Sequence, residues 1–423
     1  MSASYIQFTE DMKKDYTILA PNMLPMHLEL VLQVLRNEGY KAELLKTDGP
    51  EIIETGLRYV HNDTCYPATL IVGQFIHAMQ SGKYDPHKTA LIMFQTGGGC
   101  RASNYIFLIR KALARAGFEY VPVISFSLHN LETHPGFNMS LPLLHRMLYS
   151  LFYGDILMSL VNQTRPYELN PGDADALAMR FTEEIAAEMK TKGVSFKRLK
   201  KDYPRILDAF AAIPQDRTRK TVRVGVVGEI YVKYSPLGNN RLVDFLVANG
   251  AEATVPGLVD FFLFTIYYKL VDHKLYRMHR LSIFAYRFFY NFIASKQKKL
   301  IDIIKKDGRF HAPAPFETTV KAVNGYIGLG CKMGEGWLLP AEILELAHSG
   351  VKNIVCAQPF GCLPNHICGK GMMKPIKDRN PDVNIVAIDY DASATRVNQE
   401  NRLRLMLSNA ASPKSKEEAL ITK

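Results

Sequence analysis

Strand-like and helix-like segments alternate along residues 1–165, and this alternation constrains the fold more than any other feature. A short apolar run ends at a glycine, proline or asparagine turn, and an amphipathic stretch then precedes the next apolar run. Such a pattern is typical of a doubly wound parallel sheet with helices on both faces. The sequence therefore predicts an α/β fold. The expected strands are Tyr16–Ala20, Lys41–Leu45, Ala90–Phe94 and Val121–Ser125, and the expected helices include Pro67–Gln80 and Ala102–Ala116.

The chain of 423 residues is too long for one ordinary core, so more than one domain is expected. Residues 1–165 form the first predicted α/β domain, and residues 166–220 form a basic helical connector without a clear strand. A second α/β domain is predicted over 221–413, with an aromatic and basic helical insertion, and 414–423 form a tail. The second domain opens with the strand Thr221–Gly228 and resumes with Val351–Ala357 and Val383–Ile388.

Six cysteines are too few for a disulfide scaffold, which favours a reducing, cytoplasmic setting. Cys65, Cys100 and Cys362 each stand where a glycine or proline turn gives way to a predicted helix. A helix N-terminus lowers the pKa of a thiol, and thiolates brought together make a soft-metal site. Because these turns lie at the carboxyl edges of parallel strands, we expect the three cysteines to face one crevice between the two domains.

The remaining cysteines give weaker signals. Cys356 closes an apolar strand, where a buried free cysteine is as ordinary as a metal ligand. Cys331 and Cys368 are not expected to bind metal. The glycines Gly97, Gly98 and Gly99 would let backbone N–H groups approach an anion, although no phosphate-binding loop of the NTPase type is present in the sequence. For the polar residues in or near these loops, a turn-capping or surface role is at least as ordinary as contact with a bound group. The candidates for such contacts are Arg101, Gly361, His61, Asn62, Glu335 and His366.

The net charge of +11 is concentrated in two stretches, 190–223 and 269–309. A solvated helix surface is the favoured interpretation, and binding of a polyanion is the alternative. No nucleic-acid-binding motif supports the second reading. The aromatic stretch 258–293 is interrupted by charges too often to span a bilayer. A helix in the core or at a subunit interface is favoured there over a helix lying on a membrane surface.

Five motifs together resemble those of the acyl-CoA dehydratase activase-related proteins. This group is allied to the iron–sulfur subunits of 2-hydroxyacyl-CoA dehydratases, benzoyl-CoA reductases and double-cubane cluster proteins. The resemblance covers most of the chain. It is carried by the sequences at 65–67 (CYP), 95–105 (QTGGGCRASNY), 334–339 (GEGWLL), 358–366 (QPFGCLPNH) and 387–391 (AIDYD).

The resemblance implies two flavodoxin-like domains that hold an oxygen-sensitive iron–sulfur cluster, either 4Fe–4S or half of a double cubane in a homo- or heterodimer. Its ligands would be Cys65, Cys100 and one of Cys356 or Cys362. The implied partner is an ATP-dependent activase on a separate chain, with ferredoxin or flavodoxin as further electron donors and an acyl-CoA as a candidate substrate. The expected function is that of a low-potential reductase or a 2-hydroxyacyl-CoA dehydratase component. A non-catalytic electron carrier or cluster-maturation partner is the alternative, followed by a zinc or thiol-redox protein.

Overall fold

The computed structural model describes residues 5–94, 99–126 and 132–411. In the first part of the chain, helices and strands alternate as predicted. The elements are α1 (Glu10–Asp15), β1 (Thr17–Ala20), α2 (Pro25–Asn37), β2 (Lys41–Leu44), α3 (Glu51–Tyr59), α4 (Tyr66–Gln80), β3 (Thr89–Phe94), α5 (Tyr105–Ala116) and β4 (Val123–Phe126). Three long helices follow: α6 (Leu141–Thr164), α7 (Asp173–Lys192) and α8 (Phe196–Ala211).

The second half repeats the strand and helix alternation, with a helical insertion before its third strand. It contains β5 (Val222–Gly228), α9 (Ile230–Tyr234), α10 (Leu242–Ala248), β6 (Ala251–Thr254), α11 (Leu258–Tyr276), α12 (Ile283–Asp307), α13 (Phe316–Ala322), α14 (Leu338–His348), β7 (Asn353–Pro359), α15 (Met373–Arg379), β8 (Asn384–Tyr390) and α16 (Arg396–Ala411). A 3₁₀ turn covers Arg101–Asn104, and a π-helical turn covers Asn365–Gly369.

The described strands form two four-stranded sheets, in the orders β2-β1-β3-β4 and β6-β5-β7-β8, and every pairing is parallel. The predicted α/β class with two doubly wound parallel sheets is confirmed. In such a sheet the chain reverses its direction of strand addition between the first and third strands, and this switch point is where ligands bind. The two switch points lie between β1 and β3 and between β5 and β7.

Both faces of each sheet are covered, as a parallel sheet requires. Along β7, Ile354 and Cys356 belong to one apolar core with α14, whereas Val355 and Ala357 belong to another with α10 and α16. Strand β6 is an element that the sequence analysis missed. Its sequence, AEAT, lacks the branched apolar residues that identify a buried strand, and the carboxylate of its Glu252 is buried against the hydroxyl group of Tyr167.

Asp155 of α6 holds together helices from both halves of the chain. Its Oδ1 lies 2.8 Å from Nε2 of the buried His27 on α2, and its carboxylate accepts hydrogen bonds from the N–H groups of Leu258 and Val259. These are the first two residues of α11, whose N-cap residue is Gly257 and so has no side chain that could accept these bonds. A distant carboxylate therefore caps α11 and fixes its start beside α6 and α2. In the part of the chain that the structure describes, no helix is long and apolar enough to cross a membrane.

Candidate functional site

A cavity of about 280 Å³ lies where the carboxyl edges of the two sheets meet. Its walls come from the segments after β3, β5 and β7, from the start of α4, and from one side of α11. This is the position that the switch-point rule assigns to ligands in open parallel sheets. Its lining contains three thiols and two carboxyl groups, those of Cys65, Cys100, Cys362, Glu229 and Glu335. The predicted convergence of three cysteines from both halves on one crevice is present.

Cys65 is the residue immediately before α4, and its backbone is in close contact with the second half of the chain. The N–H of Tyr66 donates to the carbonyl of Phe360 at 3.0 Å. Gly361 adopts a φ of +71°, and a Cβ atom there would lie 3.0 Å from the Cα of Cys65. Two features therefore require glycine at position 361: the left-handed backbone and the close approach of Cys65. They explain why a glycine stands beside the site, as the sequence predicted.

Cys100 begins the 3₁₀ turn that leads into α5, and Cys362 follows the end of β7. Burial raises the pKa of the Cys100 thiol to about 11, and it also raises the pKa of Cys362. The negative charges of Glu335 and Glu229 add to both effects. The predicted lowering of these pKa values at helix N-termini is therefore wrong for the protein without a bound cation. Loss of hydration in the cavity outweighs the few backbone N–H groups that a short turn offers.

Glu229 and Glu335 form a pair of buried carboxyl groups in the same cavity. Burial raises the pKa of both, and the charge of Glu335 raises that of Glu229 further. Glu229 caps α9 by accepting from the N–H of Val232 at 2.9 Å, and Glu335 accepts from the N–H of Ile230 at 2.9 Å. Two carboxyl groups that interact electrostatically in a buried site favour retention of a proton by the pair.

A role for Glu229 was not predicted from the sequence, and Glu335 was predicted only as one of several residues that could contact a bound group. The available signal for Glu229 was its position directly after β5, at the carboxyl edge of a strongly apolar strand.

Aromatic side chains and one ammonium group complete the described part of the lining. Phe261, Phe264 and Tyr268 of α11 form an apolar wall, and the hydroxyl group of Tyr105 lies 3.5 Å from the Sγ of Cys65. The basic residue in this lining is Lys332, whose ammonium group contacts the buried carboxylate of Asp272. Behind the wall, the buried ring of Trp337 packs edge-on against Phe264 at a centroid distance of 5.1 Å.

Cys356 lies outside this lining. Its side chain is buried on β7, with Sγ 3.4 Å from Oδ1 of Asn365, whose amide group donates to the carbonyl of Ala357 at 2.8 Å. Cys368 is buried in the π-helical turn Asn365–Gly369, and Cys331 is exposed. The places of Cys356 and Cys362 along the chain explain the separation, because Cys356 lies within β7 and packs in the core, whereas Cys362 lies in the segment beyond the carboxyl end of that strand.

Other predicted contact residues are placed as follows. Gly97 and Gly98 lie outside the described residues, as does the side chain of Arg101. Gly99 adopts a φ of +75° and lies against Met333. His61, Asn62 and His366 are exposed and do not line the cavity among the described residues.

The donors suit a thiophilic metal by their chemistry, but they are not arranged as a closed ligand cage. Within residues 5–94, 99–126 and 132–411, no group of three or more His, Cys, Asp or Glu side chains is placed so that it could hold a metal ion. The cavity nevertheless combines three thiols and two carboxyl groups with one ammonium group that is already paired. Such a set favours a bound positive charge, which would ionise the thiols by coordination.

A larger and more open cleft of about 520 Å³ lies beside α2 and β2. Two of its charged side chains are already paired: Arg36 forms an ion pair with Glu29, and it also donates to the carbonyl of Ala42 at 2.9 Å. No cysteine contributes to its described lining. The smaller cavity is therefore the better candidate for a functional site.

The fold and site define a two-sheet α/β protein with a cysteine- and glutamate-lined crevice between its halves. No family model matches the chain, and no curated protein matches it.

Proposed function

We propose that the cavity binds a thiolate-ligated metal centre, an iron–sulfur cluster, and that the protein is a low-potential reductase or a component of a 2-hydroxyacyl-CoA dehydratase-like system. The observation that carries this proposal is the arrival of Cys65, Cys100 and Cys362 from three separate segments at one buried cavity. Thiolates are the usual ligands of iron–sulfur clusters. The preference for a cluster over zinc rests on the motif resemblance described above.

Cys65, Cys100 and Cys362 would hold the cluster, which supplies low-potential one-electron chemistry when bound. The carboxyl groups of Glu229 and Glu335 line the same cavity and would supply oxygen donors beside the three thiols. The hydroxyl group of Tyr105 is placed to donate to the sulfur of Cys65, and the apolar wall on α11 excludes water. Both features tune such a centre, because hydrogen bonds to sulfur and burial set its potential.

The Glu229 and Glu335 pair supplies a proton store in the same cavity. Their raised pKa values keep a proton on one carboxyl oxygen of the pair near neutral pH. Reductive removal or reduction of an oxygen function requires protons as well as electrons. A protonated carboxyl group lining the cavity can donate to a leaving hydroxyl group or to a reduced carbonyl oxygen.

The volume of about 280 Å³ limits what enters. It is slightly below the range of roughly 300 to 1,000 Å³ typical of pockets for drug-sized ligands. At most a short acyl group could enter beside a compact cofactor, and the remainder of a coenzyme A molecule would stay outside. The electron would come from a separate ATP-dependent activase or from a ferredoxin or flavodoxin, and a homo- or heterodimer is the proposed assembly.

The same small volume favours a second candidate function, that of a non-catalytic electron carrier or maturation partner. A carrier needs space for the cluster alone. Stopped-flow oxidation of the reduced protein by a panel of short-chain acyl-CoA esters separates the two functions. Oxidation by a substrate supports the enzyme, and oxidation only by other redox proteins supports the carrier.

The test of the main proposal is purification under strict anaerobic conditions, followed by iron, zinc and acid-labile sulfide analysis of the full chain. Iron and sulfide in equal amounts are expected, with a charge-transfer absorption that dithionite bleaches. Stoichiometric zinc without labile sulfide would overturn the proposal.

A further inference from the structure

The turn between α11 and α12 carries an exposed aromatic and basic surface that the candidate site does not use. We call residues 274–289 the hairpin tip. Most of its large apolar side chains are exposed: Leu281, Phe284 and Phe288 are 100%, 76% and 64% accessible to solvent, whereas Ile283 is buried. Their spacing of three and four residues places Phe284 and Phe288 on one stripe of α12, with Leu281 immediately before the helix. Four more apolar side chains extend this surface: Leu275, Tyr276, Met278 and Phe289.

The base of the hairpin is anchored in the core, so the tip projects from a fixed support. Leu263 and Phe264 of α11 and Leu300 and Ile304 of α12 are buried. The chain reverses between the helices through two left-handed residues that are not glycine, Arg277 at a φ of +57° and His279 at +58°. Such conformations are uncommon for these residue types and persist where packing of the surroundings imposes them.

The charge of the tip has one sign. No acidic residue occurs between Asp272 and Asp302, and the tip contains Lys274, Arg277, Arg280 and Arg287. None of these four cations forms an ion pair with a residue that the structure describes. Asp272 is buried and contacts Lys332 instead. The tip thus combines exposed apolar side chains with cations that have no anionic partner in the described chain.

We propose that the hairpin tip attaches the protein peripherally to an anionic membrane surface. Leucine and phenylalanine side chains enter the boundary between headgroups and acyl chains, and arginine and lysine bind lipid phosphates at the same depth. The net charge of +11 adds a long-range attraction to such a surface. This inference does not depend on the proposed metal centre.

Two other occupants agree less well with the tip. A second copy meeting it tip to tip would bring four cations against four without a carboxylate between them, which opposes association. A different protein would have to supply anionic groups around an apolar centre, because every charged side chain of the tip is a cation. A lipid surface supplies the matching phosphates and hydrocarbon together.

The test is flotation of the full chain with vesicles of phosphatidylcholine alone or of phosphatidylcholine and phosphatidylglycerol in equal parts. Binding is expected only to the anionic vesicles, and high salt is expected to weaken it. The double change Arg280→Gln and Arg287→Gln should weaken binding roughly 30-fold, at about fivefold per cation. Lys305→Gln with Lys306→Gln removes the same charge from the distant end of α12 and should weaken binding far less.

The apolar contribution is tested by Leu281→Ser with Phe284→Ser, which should abolish flotation. Phe107→Ser is the matched control, because Phe107 is an exposed aromatic residue on α5. Fluorescence reports insertion directly. The single native tryptophan, Trp337, is fully buried, so a blue shift of Phe284→Trp on addition of anionic vesicles would arise from the tip.

Three results would overturn the proposal. The first is absence of wild-type flotation with anionic vesicles at low salt. The second is flotation that Leu281→Ser with Phe284→Ser leaves unchanged. The third is a dimer or a complex with another protein that this double variant dissociates while lipid binding is absent throughout, since the tip would then be a protein interface. Iron and sulfide content is expected to be the same in all these variants, so failure of one proposal is distinguishable from failure of the other.

Discussion

Replacement of Gly361 by alanine tests the junction on which the candidate site depends. Gly361 has a φ of +71°, and the new Cβ would lie 3.0 Å from the Cα of Cys65. A left-handed backbone costs a residue with a Cβ about 1 to 2 kcal/mol. The contact with backbone atoms forces a shift, and overpacking of this kind costs about 1 to 3 kcal/mol. The expected loss in the free energy of unfolding is therefore roughly 2 to 5 kcal/mol.

Gly117→Ala provides the matched control. Gly117 also has a left-handed backbone, with a φ of +81°, but a Cβ there would meet nothing within 4 Å. This variant should lose only the backbone contribution, about 1 to 2 kcal/mol. Urea unfolding followed by far-ultraviolet circular dichroism and by Trp337 fluorescence measures both variants. Equal losses in the two would refute the close packing of the second half of the chain against Cys65.

Two further predictions concern the carboxylates of Asp155 and Asp260. Asp155→Ala should lower the free energy of unfolding by roughly 2 to 4 kcal/mol, because α11 loses its cap and buried His27 loses a partner. Urea unfolding measures the loss, and Asp302→Ala on the exposed face of α12 is the control. A loss no larger than that of the control would contradict the capping role. Asp260, which accepts from Gln297 at 2.6 Å, has its pKa raised by burial to about 8, so the native state binds a proton that the unfolded state releases. Stability should therefore fall as pH rises from about 4, where the unfolded carboxyl group titrates, to about 8. Asp260→Asn should make this slope shallower in unfolding experiments across pH by removing one of the buried carboxyl groups that cause it, while Glu229 and Glu335 keep their share. An unchanged slope would contradict the assignment.

The sequence could predict most of the strands because parallel strands buried on both faces are short apolar runs. Thr221–Gly228 illustrates this, since seven of its residues form β5. Strand β6 escaped prediction because its residues are small or charged, and only its pairing with β5 makes it a strand. Propensity carries little information where the tertiary partner decides the conformation.

The candidate site was predictable as far as topology determines it. Parallel strands put their carboxyl ends at one edge of a sheet, which explains why Cys65, Cys100 and Cys362 share a cavity. Topology does not reveal burial. The Glu229 partner of Glu335 and the raised pKa of the Cys100 thiol depend on how far the two halves close over the cavity. That closure is a property of packing between distant segments.

Which of Cys362 and Cys356 faces the cavity could not be predicted from the sequence. Both residues belong to one loop and strand in the sequence, and the motif resemblance left either as the third ligand. In the structure Cys362 lines the cavity, while the Cys356 side chain is buried beside Asn365.

Iron content of single cysteine variants purified anaerobically tests the central claim most directly. Cys65→Ala, Cys100→Ala and Cys362→Ala should each lose most of their iron and labile sulfide, because each removes a thiol from the cavity. Cys331→Ala is the control, since Cys331 is exposed. Cys356→Ala should retain its iron, in agreement with the position of that thiol outside the cavity lining. Full iron and sulfide in Cys100→Ala, or absence of both in the wild-type protein, would contradict the account.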